Sequence, residues 1–274
     1  MKRSITLLVG VMCLFVCGFT ASAGILSAQE LLRLYPAPDA TLAMDPAADP
    51  LLRLVNKTNP LPSSYKPPLV TPRLKSKVYA RTDLRPQAAD ALESMFAAAR
   101  AEGLELVCVS GYRSYAAQKD LYARSVERNG KARADLMSAM EGTSEHQLGL
   151  AMDLSAPSLK NGLSPAFSKL KEGKRVKAHC AQYGFIIRYQ QKRSGITCYQ
   201  GEPWHIRYIG REHAAFITEL DIPFETYAEY LRLVWHRNNS AGHAPDGDEL
   251  PDNTFTQGQL EREGCPCRAL LQKA

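Results

Sequence analysis

Past its N-terminal stretch, this chain has no long apolar run and no internal repeat. The first absence excludes a polytopic membrane protein. Glycine, at 18 of 274 residues, is far too scarce for a collagen-like chain. Hydrophobic residues at 45% and charged ones at 23% exclude a disordered chain. Charge of one sign is also weak. The formal net charge is +6, and the basic residues are not gathered into one stripe, so nucleic acid is not an expected partner. A mildly basic surface remains compatible with an anionic polymer as substrate. No G-x-S-x-G elbow occurs, which counts against a serine hydrolase even though Ser110 and Ser114 are present. Helical and strand patterns follow one another without a βαβ rhythm. The expected class is therefore α+β rather than a doubly wound sheet. The length suits one domain with extensions, or two small domains.

What is present begins with an export signal. Lys2-Arg3 gives a positive start, and Ile5 to Phe19 is apolar apart from Thr6, Gly10 and Gly18. Ala21-Ser22-Ala23 offers small residues for a signal peptidase, so residues 1–23 are expected to be removed, with cleavage after Ala23. An uncleaved anchor is the alternative, although the run is short of the roughly 20 apolar residues a spanning helix needs. Lipidation is disfavoured because Val16 precedes Cys17, where a small residue is wanted. The rest of the chain is expected to be extracytoplasmic, either secreted or attached to the cell envelope. Five cysteines remain after the leader, an odd number that forbids complete internal pairing. Cys108 lies in an apolar strand and reads as a buried thiol. Cys180 and Cys198 flank a predicted strand and its turn and are candidates to pair. Cys265-Pro-Cys267 is too isolated for a zinc site.

Residues 24–51 and those beyond them to about 77 are rich in proline, which lacks an amide donor and fixes φ. The first part, 24–51, reads as an irregular spacer. Pro86 suits a first helical position, and Leu92, Met95, Phe96 and Ala99 recur at helical spacing up to Gly103. Leu104 to Ser110 reads as a strand. Ser114 caps a second helix closing near Gly130, and a short helix covers Ala132 to Met140. Leu148, Leu150, Met152 and Leu154 alternate with Gly149, Ala151 and Asp153 as in a strand with one core face. A helix after Ser164 runs to Tyr183, stopped by Gly184. Strands are expected at Phe185 to Tyr189 and Trp204 to Ile209. Helices come next, around Glu212 to Leu220 and Phe224 to Arg237. Residues 52–237 thus form the main domain, and 238–274 a loose polar tail.

Three segments concentrate reactive side chains: Ser110 to Ser114, Ser144 to Asp153, and Glu202 to His205. Taken singly, their members have ordinary readings. Ser144 would cap a turn, Arg113 would be an ion-pair partner, Trp204 would be core, and a lone His or Asp would be structural. His179, His213, His236 and His243 are given that structural reading. Together, however, His146, Asp153 and His205 form a set of two imidazoles and one carboxylate, which suits a catalytic zinc ion with its fourth position open to water. Such a water still needs a carboxylate to take its proton. Glu202, three residues before His205 and not required as a ligand, is the natural base. Gly149 and Ala151 leave room on the Asp153 face. His146 has the wrong parity to share that face along a flat strand, so the chain must bend between them, and Gly149 is the expected place.

SGYRSYAAQ, EGTSEHQLGLAMDL and GEPWHIRYIG resemble the signature segments of the VanY-type D-alanyl-D-alanine carboxypeptidases, zinc peptidases with the hedgehog/DD-peptidase fold. Ser-x-His-x-x-Gly-x-Ala-x-Asp is matched from Ser144 to Asp153, and Glu-x-x-His at Glu202 and His205. The resemblance spans about residues 52 to 232. It implies one Zn2+ held by His146, Asp153 and His205, with Glu202 as general base and acid. It further implies Arg113 as transition-state stabiliser or substrate holder, and Gln118 and Ser144 as substrate contacts. The implied substrate is a peptidoglycan stem peptide losing its C-terminal D-alanine, and the enzyme is expected to be a monomer without a protein partner. Glu141 stands where proline often occurs, and Gly201 where an aromatic is common. Neither position carries a ligand or the base. An L,D-carboxypeptidase or an endopeptidase would use the same centre on another bond, and a wall-binding module would keep zinc without catalysis. The intact Glu202 counts against the last.

Overall fold

The computed structural model describes residues 26–35, 49–76 and 81–240. The expected leader, the tail beyond Ser240, His243 and the Cys265/Cys267 pair lie outside them.

The chain opens with α1 (Ala28–Leu34). It is closed at its start by a capping box in which Ser27 Oγ accepts from the Glu30 amide at 3.2 Å and the Glu30 carboxylate accepts from the Ser27 amide at 2.7 Å. Within the expected 24–51 spacer, residues 28–34 are therefore helical rather than irregular, while 36–48 lie outside the described residues. α2 (Pro86–Ala101) starts on Pro86 and buries Leu92, Met95, Phe96 and Ala99, as its spacing predicts. β1 (Val107–Ser110) begins three residues later than expected. α3 (Tyr115–Asn129) is capped by the Ser114 hydroxyl, which accepts from the Ala117 amide at 3.2 Å. Gly130, at φ 75°, separates it from α4 (Lys131–Met137), which ends short of the expected Met140.

Glu145–Leu148 forms a 3-10 turn that leads into β2 (Ala151–Ser155). The strand expected from Leu148 therefore begins only past Gly149. The single helix expected up to Tyr183 is instead a 3-10 turn at Pro165–Lys169, α5 (Lys171–His179) and a second 3-10 turn at Cys180–Tyr183. Gly184 stops it at φ 82°. β3 (Phe185–Tyr189) has the expected bounds. α6 (Ser194–Thr197), β4 (Glu202–Tyr208), α7 (Arg211–Leu220) and α8 (Phe224–Ser240) complete the described chain.

The strands form one antiparallel sheet in the order β1-β2-β4-β3. With the helices around it, this is the expected α+β architecture. The register of the two central strands places Asp153 on β2 directly opposite His205 on β4. Leu148, Leu150, Met152 and Leu154 are fully buried in a core that includes Leu92, Met95 and Phe96 of α2. A second core joins α1, α7 and α8 through Leu31, Ile217, Tyr227, Leu231 and Val234.

Cys108 is a buried free thiol, as its apolar strand predicts. The Cys180–Cys198 pair that the sequence left open does not form. Cys180 is a free thiol packed in the first core, whereas Cys198 is disulfide-bonded and sits at the left-handed C-cap of α6.

Candidate metal centre and active site

The site is built on the two central strands and the turn that enters β2. Gly149 adopts φ 69° at the end of the 3-10 turn, and this is the predicted bend. It lets His146, on the turn, and Asp153, on the strand, face the same point. His146 Nε2 lies 3.3 Å from Asp153 Oδ2, and His205 Nδ1 lies 3.1 Å from Asp153 Oδ1. The two imidazole rings are 5.0 Å apart and nearly perpendicular. All three side chains are buried, and one ligating atom from each can be chosen so that all lie within 4.8 Å of one another.

These separations fit a metal. Ligand atoms about 2.0–2.1 Å from a tetrahedral zinc ion stand roughly 3.3 Å apart. The tautomers fit as well. His146 Nδ1 is 2.7 Å from the Gly111 carbonyl, to which it donates, and this leaves Nε2 as the ligating atom. His205 turns Nδ1 toward Asp153 and points Nε2 away from the centre, toward Glu145 Oε2 at 3.5 Å. His146, Asp153 and His205 are therefore the residues that could hold a cation.

Glu202 reaches the same point from the start of β4, with Oε2 3.9 Å from His205 Nδ1. Burial pushes its carboxyl up to about 7, aided by the Asp153 carboxylate and opposed by His205 and Arg113. Asp153 behaves oppositely. Burial works against its charge, but His146 and His205 hold its carboxyl well below the usual range. Two carboxyl groups in one pocket are thus driven apart, one kept ionised and the other poised to exchange a proton near neutrality.

Arg113 lies just past β1, and its amide donates to the His146 carbonyl at 3.2 Å. Its guanidinium donates to Gln118 Oε1 at 2.6 Å and to Ser110 Oγ at 2.8 Å. Burial lowers its pKa, against the pull of Asp153 and Glu202. Its hydrogen bonds go to neutral groups, so the ordinary ion-pair reading does not describe it. Gln118 is buried on the first turn of α3 and donates to the Ala139 carbonyl at 2.5 Å. Ser144 is buried where the 3-10 turn starts, yet its hydroxyl does not cap that turn. Trp204 is core, as its ordinary reading has it. His213 is structural, with Nδ1 2.7 Å from the Tyr227 hydroxyl.

Sequence reasoning passed over two neighbours of the centre. Tyr189 lays its ring 5.0 Å from that of His205. Glu145 is wholly buried behind His205. A signal for Glu145 was available. It is a charged residue inside a motif run, and an arginine, Arg188, interrupts the otherwise apolar strand Phe185–Tyr189.

An α+β fold in which two histidines and an aspartate could hold one metal ion beside a further carboxyl has the donor set of a metal-dependent hydrolase. The family model described as VanY, D-alanyl-D-alanine carboxypeptidase, matches residues 81–211. The chain is 34% identical over 186 residues to the bifunctional D-Ala-D-Ala dipeptidase and D-Ala-D-Ala carboxypeptidase VanXYC of Enterococcus gallinarum, covering 66% of this chain and 94% of that protein. Among solved structures it is similar to the LdcB LD-carboxypeptidase. That match has 43% identity and a TM-score of 0.63, over 67% of this chain and 88% of that one. It is also similar to a variant of the vancomycin resistance D,D-pentapeptidase VanY in complex with Zn(II). Here identity is 31% and the TM-score 0.57, over 67% of this chain and 99% of that one. The chain belongs to the VanY D-alanyl-D-alanine carboxypeptidase family, with its hedgehog/DD-peptidase fold, and is a carboxypeptidase.

Proposed function

We propose that this protein is an exported, zinc-dependent carboxypeptidase that removes the C-terminal D-alanine from peptidoglycan stem peptides. The observation that carries the reading is the convergence of His146, Asp153 and His205 on one point beside the carboxyl of Glu202. A zinc ion held by the three would supply a Lewis acid and bring the pKa of a coordinated water to about 7. Glu202 takes the proton of the attacking water and passes it to the leaving amine, a task suited to a carboxyl pushed up to about 7. Arg113 offers guanidinium donors to the oxyanion, and the same fork suits the substrate's free carboxylate. Gln118 accepts a hydrogen bond from Arg113, and Gln118 and Ser144, the residue before the His146 turn, are the proposed substrate contacts.

Export rests on the leader-like residues 1–23. Among the described residues, no helix is long and apolar enough to cross a membrane. The proposed enzyme acts outside the membrane as a monomer.

The D-Ala-D-Ala bond of a pentapeptide stem is the first reading. The 43% identity to an LD-carboxypeptidase favours a second, in which the same centre cuts D-alanine from a tetrapeptide stem. Defined penta-, tetra- and tripeptide stems, with products identified by mass, separate the two. A chelator should abolish release and added zinc restore it. Release that survives chelation would reject the metal mechanism, and binding to sacculi with no product from any stem would reject the enzyme reading in favour of a wall-binding module.

A further inference from the structure

Behind His205, away from the substrate pocket, lies a buried ionic cluster that the proposed chemistry does not use. Glu145 Oε1 accepts from Arg188 Nε at 2.7 Å and faces Arg207 Nη1 at 2.9 Å. Arg188 also forms a two-pronged pair with Glu225 of α8, at 2.9 and 2.6 Å. Arg207 Nη2 donates to the carbonyls of Leu51 and Arg53 at 2.9 and 3.0 Å. The Glu145, Arg188 and Arg207 side chains have no solvent exposure. Two cations and two anions balance, so the cluster carries no net charge.

One oxygen of Glu145 is thus taken up by two guanidinium groups. The other, Oε2, has no close hydrogen-bond partner, and neither has His205 Nε2. These two buried atoms face each other at 3.5 Å. An imidazole that ligates through Nδ1 carries its hydrogen on Nε2, and in a dry interior that hydrogen requires an acceptor. A buried ion cluster is not needed for stability, since apolar packing serves as well. What it provides here is a fixed acceptor at one spot. Arg188 fastens that acceptor to α8, and Arg207 fastens it to the 51–53 segment.

We propose that Glu145 is the positioning residue for His205, accepting its Nε2–H while Arg188 and Arg207 clamp the carboxylate. Resting on the zinc assignment above, this makes α8 and the 51–53 segment part of what aims the third ligand. Glu145 touches neither substrate nor ion.

The test uses the full chain carrying Glu145→Gln, with zinc affinity measured by chelator competition and apo stability by thermal melting. The expected result is a loss of about 10–100-fold in zinc affinity, beyond any change in melting temperature. A lowered melting temperature with parent-like affinity would make Glu145 merely structural and overturn the proposal. Should Glu145→Gln fail to fold, the double variant Glu145→Gln/Arg207→Met removes one buried charge of each sign, and the same loss is expected of it. Nitrogen-resolved NMR of the zinc-loaded parent needs no variant. A slowly exchanging His205 Nε2–H is expected, and a hydrogen on Nδ1 instead would refute the geometry. A parent chain that takes up no zinc would reject the metal assignment itself, a failure distinguishable from parent-like affinity in the variant.

Discussion

His146 and Asp153 meet at 3.3 Å although one sits on a 3-10 turn and the other on a strand. Gly149 between them makes this possible by entering the left-handed region at φ 69°. A Cβ at that position would also stand 2.8 Å from Leu69 Cδ2 and 3.2 Å from Pro67 Cγ. The geometry of the proposed metal centre therefore depends on a residue that donates nothing to it.

Replacing Gly149 by Ala should cost about 1–2 kcal/mol of stability, the usual penalty for an L-residue held in the left-handed region. The Leu69 side chain can swing aside, so the backbone is the main source of strain. Urea unfolding measures the loss, and zinc competition should show weaker binding as the His146 turn relaxes. Unchanged values in both would mean that the bend is not strained by a side chain.

Arg113 is expected to act on the transition state rather than on the metal. Arg113→Ala should lower kcat/KM by about 10²–10³-fold, comparable to removing an oxyanion donor. Zinc content should be unchanged. Arg113→Lys should rescue little, because a single ammonium cannot reproduce the fork that spans Gln118 and Ser110. Steady-state kinetics alongside metal analysis checks both outcomes.

Among the described residues the two free thiols, Cys108 and Cys180, give a pH dependence of known sign. Burial pushes Cys108 and Cys180 up to about 12, against about 8.5 for an exposed thiol. Both remain protonated in the folded protein at neutral pH, so thiol reagents should label them only after unfolding. Between about 8.5 and 12 the unfolded chain loses these protons and the folded one keeps them. Stability is unaffected by these groups below that window and falls as pH rises through it. A Cys108→Ala/Cys180→Ala variant should show a shallower alkaline decline than the parent in urea unfolding across this range.

Much of this site was legible because its chemistry is encoded by residue type and parity. The mismatch between His146 and Asp153 located the bend at Gly149 from the sequence alone, and Gly184 and Tyr189 bounded β3 correctly. The α1 helix was missed because the prolines that follow it, from Pro36 onward, dominate the composition of the stretch. The Ser27/Glu30 box is a local signal, but the burial of Leu31 depends on docking against α8, which is distant in sequence. The question of a Cys180–Cys198 pair stayed open in the sequence for a similar reason. Neighbourhood along the chain said nothing of which core would enclose Cys180. Glu145 was in plain view within its motif. Its partners Arg188, Arg207 and Glu225 come from two strands and a helix, and only the folded sheet brings them together.

The central claim is that three residues hold the ion while Glu202 moves the proton. Metal analysis and stem-peptide hydrolysis on purified Glu202→Gln protein test it most directly. The predicted result is one bound zinc, as in the parent, with the rate lowered by about 10²–10⁴-fold, the contribution of a general base. Hydrolysis at the parental rate would contradict it, and so would loss of the zinc together with the activity.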